Sequence, residues 1–351
     1  MTFDVQSKQP DMPAELASTA LAGAAATGLQ GAVRSGHGPW RPRISVGIIN
    51  NMPDLALQAT ERQFLTFLES AAEQLDLRVH LFSLPGIVRS GTVRDRVKAR
   101  YLDYDCLREL HMDALIVTGT VPNTASLADE AFWLSLIELV DWASTHTLSV
   151  LWSCLSAHAA VLHLDGIERC RLPNKLSGLY RVETCGNDPL LVGVDQKIWV
   201  PHSRYNGLPE ESLRNAGYTI LSRSDTIGPD IFTKSTPSWF VFFQGHPEYD
   251  GDTLMREYRR DALQYLADRR SDYPELPKNY FDPTAEAILK AFSREACHAR
   301  SAELSAQFPD LRRAIPRMGV WHATASRLFR NWINHVAVMK LRQREHHGAA
   351  A

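Results

Sequence analysis

Strand-like and helix-like segments alternate through the first half of this chain, and this alternation constrains the fold more than any other feature. Short apolar runs rich in β-branched residues occupy residues 44–49, 78–84, 114–117 and 148–152. Apolar residues at helical spacing follow over residues 54–75, 129–145 and 157–163. Continuous apolar strands joined through short helices are typical of buried parallel strands. The pattern predicts an α/β protein with a doubly wound, mostly parallel sheet.

The second half of the chain has a less regular pattern. Between residues 174 and 250 the strand-like runs are shorter and rich in turn residues, which predicts that part of the sheet is antiparallel. Helices are predicted for residues 252–268 and for two later amphipathic segments, the last over residues 326–343. Residues 1–40 are rich in Ala, Gly, Ser and Pro and predict a flexible tail. We therefore expect a single α/β domain over residues 41–343 and a disordered C-terminal tail over residues 344–351.

The composition excludes several classes of protein. The chain has 351 residues, 44% of them apolar, which suffices for a sizeable core, and its formal net charge of -2 gives no electrostatic reason to expect a nucleic-acid partner. Its five cysteines form no Cys-x-x-Cys pair, which argues against a disulfide framework or a bound metal and favours a reducing compartment. Without a long apolar run or a secretory signal, we expect no membrane span and a cytoplasmic location.

Cys154 lies where the fourth predicted strand gives way to a helix. In open α/β sheets ligands collect at the carboxyl ends of the strands, and a thiol there faces the positive end of a helix dipole, which favours the thiolate. The order of strand, nucleophile and helix is that of a nucleophile elbow, although Trp152 replaces one of the usual small residues. The alternative is a buried and inert thiol.

A histidine and a carboxylate follow a further apolar run that resembles a strand. His246 and Glu248 are two positions apart and could serve as the base for a nucleophilic thiol and as the acid that orients this base. His158, one helical turn after Cys154, is a second candidate base. A nucleophile at the start of a helix and a residue one turn along tend to point apart, which favours His246. Arg204 could bind a carboxylate, and a solvated turn is the alternative there.

Several blocks of residues occur in the order known from one enzyme family. The chain resembles the homoserine O-acyltransferases of the homoserine transsuccinylase type, which have a class I glutamine amidotransferase-like (flavodoxin-like) α/β fold. The resemblance covers residues 43–338. It is carried by Val117-Thr118-Gly119, Lys175-Leu176-Ser177-Gly178, Pro201-His202-Ser203-Arg204-Tyr205, Gly245-His246-Pro247-Glu248-Tyr249-Asp250, Glu257-Tyr258 with Arg260-Asp261, and Asn331-Trp332-Ile333-Asn334.

The resemblance implies roles for individual residues. By it, Cys154 is the nucleophile that forms the acyl thioester, His246 is the general base and Glu248 orients this base. The contacts of the family with its amino-acid substrate fall on Lys175, Ser203 and Arg260, all with the expected residue type. An arginine can bind the carboxylate of homoserine through two parallel hydrogen bonds.

The chain departs from the family pattern at two places. After Met52 and Pro53 the family commonly has two lysines, whereas this chain has Asp54 and Leu55, so no role of those lysines is carried over. The residue that discriminates between acyl donors is Glu for acetyl and Gly for succinyl, and it falls on Asn123 here. Because Asn lacks the charge that would repel a succinyl carboxylate, we expect succinyl to be favoured over acetyl.

The resemblance therefore implies a cytoplasmic acyl-CoA-dependent homoserine O-acyltransferase of methionine biosynthesis. It would use acyl-CoA as a co-substrate without a bound cofactor or metal, would have no nucleic-acid or membrane partner, and would form a homodimer. We expect a two-step exchange through an acyl thioester on Cys154, with the oxyanion held by the backbone N–H groups of Leu155 and Thr120. The alternatives are a glutamine amidotransferase-like hydrolase and an acyltransferase that acts on another hydroxy amino acid such as serine.

Overall fold

The computed structural model describes residues 42–72, 75–310 and 319–348, and the predicted tail over residues 1–40 lies outside this part. The strands are β1 Arg43–Ile49, β2 Asp76–Phe82, β3 Ala114–Val117, β4 Ser149–Ser153, β5 Cys170–Thr184, β6 Lys197–Gly207, β7 Thr219–Ile220, β8 Ser222–Ser224, β9 Gly228–Pro229, β10 Ile231–Ser235 and β11 Trp239–Phe243. The helices are α1 Asp54–Ala71, α2 Gly91–Arg100, α3 Cys106–Glu109, α4 Trp133–His146, α5 Leu155–Asp165, α6 Glu210–Asn215, α7 Thr253–Leu266, α8 Pro283–His298 and α9 His322–Gly348. In these described ranges no helix is both long and apolar enough to cross a membrane.

The larger sheet has the strand order β2-β1-β3-β4-β11-β10-β7. Strands β2, β1, β3, β4 and β11 run parallel, whereas β10 pairs antiparallel with both β11 and β7. Every residue of β3, β4 and β11 is buried, as expected where both faces of a parallel sheet are covered. The prediction of an α/β fold with a mostly parallel sheet and an antiparallel part is therefore confirmed.

The two faces of this sheet pack into separate cores. Val46 of β1 belongs to the same core as Phe64 of α1 and Phe329 of α9, whose ring centroids lie 5.9 Å apart. Ile49, at the end of β1, belongs to a second core together with Leu139 of α4. Since successive side chains of a strand point to opposite faces, helices cover both faces of the sheet, which is the doubly wound arrangement.

A second, smaller sheet was not predicted. Its strand order is β6-β5-β8-β9 and its strands are antiparallel. The prediction that strands are shorter in this half is wrong for β5 and β6, which have 15 and 11 residues. The first half of β5 is largely exposed and carries polar residues and a proline, so its sequence looks like a series of turns. Its strand conformation comes from antiparallel pairing with β6 over residues 170–171 and 176–183, with a register shift between Arg171 and Leu176.

Some helix boundaries also differ from prediction. Helix α9 continues to Gly348, so residues 344–348 are helical and not part of a disordered tail, because no Pro or Gly interrupts the helix before that glycine. Residues 349–351 lie outside the described part. Helix α5 begins at Leu155, directly after Cys154. Helix α4 begins at Trp133, after a 3₁₀ turn over Leu127–Asp129.

Candidate active site

The ends of two neighbouring strands bring the predicted nucleophile and base together. Strands β4 and β11 lie side by side and parallel, with Ser153 opposite Phe243. The pairing continues one residue past β4, since the Cys154 N–H donates to the carbonyl of Phe243, the last residue of β11, at 2.7 Å. The segment that carries His246 therefore begins beside Cys154, although about 90 residues separate the two in the chain.

Cys154 has a backbone conformation that is rare for a residue with a side chain. Its φ is 56° and its ψ is -112°, just before the first residue of α5. Such a conformation typically costs about 1–3 kcal/mol and persists only where the surrounding structure enforces it. Ser156 contributes to this by accepting a hydrogen bond from the Ser153 N–H at 3.0 Å and donating to the Val117 carbonyl at 2.7 Å. This sharp turn between a strand and a helix is the geometry of a nucleophile elbow.

The imidazole of His246 lies between a carboxylate and the thiol. Its Nδ1 is 2.8 Å from Oε1 of Glu248, and both side chains are less than 10% exposed. Burial lowers the pKa of His246, but the charges of Glu248 and Cys154 and hydrogen bonds to both outweigh burial and raise this pKa well above its usual value. The ring also stacks on Tyr249, with centroids 4.3 Å apart and planes 15° apart. The imidazole is thus held in place on two sides.

His158, the second candidate base, is turned away from this group. It is buried, and its Nε2 lies 2.9 Å from Oε1 of Gln244. Burial lowers the pKa of His158 to about 3. A buried neutral imidazole held by an amide is a structural residue, which leaves His246 as the histidine beside the thiol.

The loop after β3 approaches the start of α5 very closely. A Cβ atom on Gly119 would lie 2.9 Å from the backbone nitrogen of Leu155 and 3.3 Å from the Ser153 carbonyl oxygen. Thr118 fixes this loop because its Oγ1 accepts a hydrogen bond from the Asn51 N–H at 2.8 Å. Thr120 and Leu155, the two residues predicted to supply oxyanion donors, line the same small cavity. The loop after β3 and the start of α5, which directly follows Cys154, are therefore in close contact.

The three predicted contacts for the amino-acid substrate also lie together. Nζ of Lys175 is 3.1 Å from Oδ2 of Asp261, and Nη2 of Arg260 is 2.7 Å from Oδ1 of the same carboxylate. Oγ of Ser203 donates to Oε2 of Glu257 at 2.5 Å, and Nζ of Lys175 lies 4.0 Å from that oxygen. Two cations and two carboxylates thus form one group, which suits a ligand that carries both charges.

Glu257 belongs to one of the blocks that carry the family resemblance, but the sequence analysis assigned it no role, since on its own it looks like part of a solvated helix face. Its Oε1 accepts a hydrogen bond from the Tyr249 hydroxyl at 2.8 Å, and Tyr249 stacks on His246. It therefore connects the group around Ser203 with the imidazole. Besides that block, the sequence signal is its position three residues before Arg260, which puts both on the same face of α7.

A polar cavity of about 290 Å³ opens beside these residues. Lys175 and Asp261 line it together with Arg171, Arg270 and Tyr205. The guanidinium carbon of Arg171 lies 4.5 Å from the centre of the Tyr205 ring, and Nη1 of Arg270 donates to the Tyr205 hydroxyl at 3.3 Å. The volume is close to that of small ligand pockets in proteins, which start at about 300 Å³.

Two further positions from the sequence analysis have other surroundings. Arg204, a candidate for binding a carboxylate, is buried, and its Nη1 and Nη2 donate to the carbonyls of Asn206 and Ile227 at 2.6 and 2.7 Å. It serves the fold, and the prediction of a carboxylate contact is not supported. Asn123 is exposed, and its backbone N–H donates to Oε1 of Glu130 at 2.6 Å.

The departure after Pro53 also has a structural consequence. Asp54, at the start of α1, accepts a hydrogen bond from the Ser90 N–H at 2.7 Å and lies 3.6 Å from Nη1 of Arg89. Arg89 in turn donates to the carbonyl of Asn50 at 3.1 Å. Asp54 thus ties α1 to the segment after β2.

Comparisons with known proteins identify relatives of this chain. A family model described as homoserine O-succinyltransferase matches residues 34–342. The chain is 48% identical over 295 residues to a homoserine O-succinyltransferase of Bradyrhizobium japonicum, covering 84% of this chain and 90% of that protein. It is 47% identical over 290 residues to one of Rhodopseudomonas palustris, covering 83% and 87%. Among solved structures, a glutamine amidotransferase from Thermotoga maritima matches with a TM-score of 0.48 at 12% identity, covering 84% of this chain and 98% of that one.

Proposed function

The chain belongs to the homoserine O-succinyltransferase family and is an O-acyltransferase, and we propose that it transfers a succinyl group from succinyl-CoA to the side-chain hydroxyl of homoserine through a thioester on Cys154. The observation that carries the proposal is the strained elbow at Cys154, with a φ of 56°, beside the buried pair of His246 and Glu248. A thiol, a base and an oriented carboxylate are the parts that a covalent acyl transfer requires.

In the first step the Cys154 thiolate attacks the thioester carbon of acyl-CoA. The imidazolium of His246 gives its proton to the leaving sulfur of coenzyme A, and the acyl group remains on Cys154. A raised pKa of His246 supports this step, because the ring is then protonated when the donor binds. The carbonyl oxygen carries negative charge as the tetrahedral intermediate forms. The N–H groups of Leu155 and Thr120 are our candidates to stabilise it, and one such donor is typically worth about 2.7–4 kcal/mol.

In the second step the neutral imidazole of His246 takes the proton of the homoserine hydroxyl. The hydroxyl oxygen attacks the acyl carbon, the bond to sulfur breaks, and the Cys154 thiolate is restored. Homoserine is a zwitterion, and the group of Lys175 and Arg260 with Glu257 offers both signs of charge. We assign the substrate carboxylate to Arg260 and Lys175, and its ammonium group to Glu257.

The decisive experiment crosses succinyl-CoA and acetyl-CoA with homoserine and serine, and follows the release of coenzyme A thiol. We expect release with succinyl-CoA and homoserine, parallel lines in initial-rate plots, and a succinyl adduct on the Cys154 peptide when homoserine is withheld. A ternary-complex rate law without an adduct would refute the covalent route.

The same experiment separates the alternatives. Product from acetyl-CoA alone overturns the choice of succinyl donor, and product from serine alone overturns homoserine as the acceptor. A glutamine amidotransferase-like hydrolase would release glutamate from glutamine and would show thiol release that is independent of any amino acid. The Cys154→Ser variant, with its weaker nucleophile, is the matched control for the adduct.

A further inference from the structure

Arg169 lies one residue before β5 and contacts the loop that carries Asn123. Its Nη2 donates to the carbonyl of Ala125, two residues after Asn123, at 3.4 Å. Burial lowers the pKa of Arg169, and the nearby charges of Glu130 and Cys154 act in the opposite direction. The guanidinium is therefore within electrostatic reach of the sulfur and is hydrogen-bonded to the loop.

One nitrogen of this guanidinium lacks an acceptor. Within the described residues, Nη1 of Arg169 is buried and has no hydrogen-bond partner. A buried donor without a partner is costly, more so when it is charged, and an acceptor brought by a ligand relieves that cost. Arg169 is thus a half-buried cation with an unused donor close to the thiol.

The neighbouring carboxylate of Glu130 is already engaged by the loop. Its Oε1 accepts hydrogen bonds from the Asn123 N–H at 2.6 Å, the Thr124 N–H at 2.8 Å and the Thr124 hydroxyl at 2.8 Å. These bonds hold Glu130 to the backbone of the loop and lower the pKa of this carboxyl, against the effect of burial. The free donor of Arg169 is therefore available to a second carboxylate.

We propose that Arg169 binds the terminal carboxylate of a succinyl group carried by Cys154, and so selects succinyl over acetyl donors. The inference rests on the proposed acyl transfer through Cys154 and adds the residue that recognises the acyl chain. Its guanidinium can form two parallel hydrogen bonds with a carboxylate. An acetyl group ends in a methyl and leaves the same donors without a partner, which disfavours the shorter donor.

The test varies the charge of the residue and the charge of the acyl chain independently. Arg169→Met keeps a long side chain without charge, and Arg169→Lys keeps the charge without the fork of donors. Arg108→Met removes an exposed arginine that pairs with Glu138 at 3.2 Å and serves as the matched control. Each variant is assayed with homoserine and three donors: succinyl-CoA, the CoA thioester of monomethyl succinate, and acetyl-CoA.

We expect Arg169→Met to lower kcat/KM for succinyl-CoA by about 10- to 100-fold, the usual effect of losing a charged hydrogen bond. Its kcat/KM for acetyl-CoA and for the methyl ester should stay within about twofold of the wild-type values, which also shows that the variant is folded. Arg169→Lys should fall between Met and wild type with succinyl-CoA. Arg108→Met should match the wild type with all three donors.

Two results would overturn the assignment. An equal fall with all three donors means that Arg169 acts on the thiol or on the fold, and an unchanged succinyl rate in Arg169→Met means that it does not contact the acyl chain. Failure of the proposed function looks different, because the wild type itself would then transfer no acyl group from any CoA donor to homoserine. A wild type that uses acetyl-CoA alone would refute both the succinyl donor and the role of Arg169.

Discussion

Replacing Glu248 by Gln tests the charge that the candidate site places on its histidine. The amide is nearly the same size as the carboxylate and can still accept a hydrogen bond from Nδ1 of His246, so the ring should keep its orientation. What changes is the negative charge 2.8 Å from that ring, in a pair whose side chains are 8% and 4% exposed. Solvent hardly screens such a pair, and a charged hydrogen bond is worth about 1.5–3 kcal/mol.

This energy converts directly into a shift in protonation. The pKa of His246 should fall in Glu248→Gln, because the charge of the Glu248 carboxylate is one of the causes that raise it. The proton-transfer equilibrium between the two side chains then shifts from imidazolium and thiolate towards neutral imidazole and thiol. A loss of up to about 3 kcal/mol corresponds to a fall of up to about 100-fold in the alkylation rate of Cys154 near neutral pH.

The assay is the rate of alkylation of Cys154 by iodoacetamide as a function of pH, followed on the Cys154 peptide by mass spectrometry. Peptide resolution is needed because the chain has four cysteines besides Cys154. We expect slower alkylation of Glu248→Gln near neutral pH, convergence with the wild type at high pH, and a matching fall in kcat/KM for succinyl-CoA. Glu138→Gln, at an exposed carboxylate, is the control. Superimposable profiles of wild type and Glu248→Gln would refute the role of Glu248.

Three further substitutions test the geometry around the thiol. Gly119→Ala puts a Cβ 2.9 Å from the Leu155 nitrogen and should lower kcat by about 10²–10³-fold with little change in the KM for homoserine, as steady-state kinetics will show. His158→Asn breaks the contact with Gln244 and should lower the free energy of unfolding in urea by about 1–3 kcal/mol. The turnover rate per folded enzyme should stay within about threefold of the wild-type rate, and an inactive but stable variant would contradict this prediction. Cys154→Gly should have a free energy of unfolding in urea about 1 kcal/mol higher than that of Cys154→Ala, because glycine accepts a φ of 56° without strain. Equal unfolding midpoints of the two variants would argue against strain at the elbow.

The local parts of the fold could be predicted because their signals are local. The apolar runs of β1, β3 and β4 are short, continuous and buried throughout most of their length, so their composition alone indicates parallel strands. The position of Cys154 between a strand and a helix is likewise readable from neighbouring residues. So is the spacing of His246 and Glu248, which hydrogen-bond across two positions.

Local signals fail where pairing partners decide the structure. Strand β5 is polar and largely exposed in its first half, and only its long antiparallel pairing with β6 identifies it as a strand. Arg204 looks like a surface residue in the sequence, yet the backbone carbonyls of Asn206 and Ile227 take its donors inside the fold. In each case the deciding contact lies outside the window that a sequence pattern covers.

The sequence by itself determined which side chains are available for chemistry and on which type of element each one lies. The tertiary structure decided which of them meet, because β4 and β11 are far apart in the chain and become neighbours only through the strand order of the sheet. It also decided that Glu257 joins Ser203 to the stack of Tyr249 on His246, and that Arg169 keeps a buried donor within electrostatic reach of Cys154. Hydrogen bonds and charge pairs between distant segments exist only after the core has packed, so no periodicity along the chain encodes them.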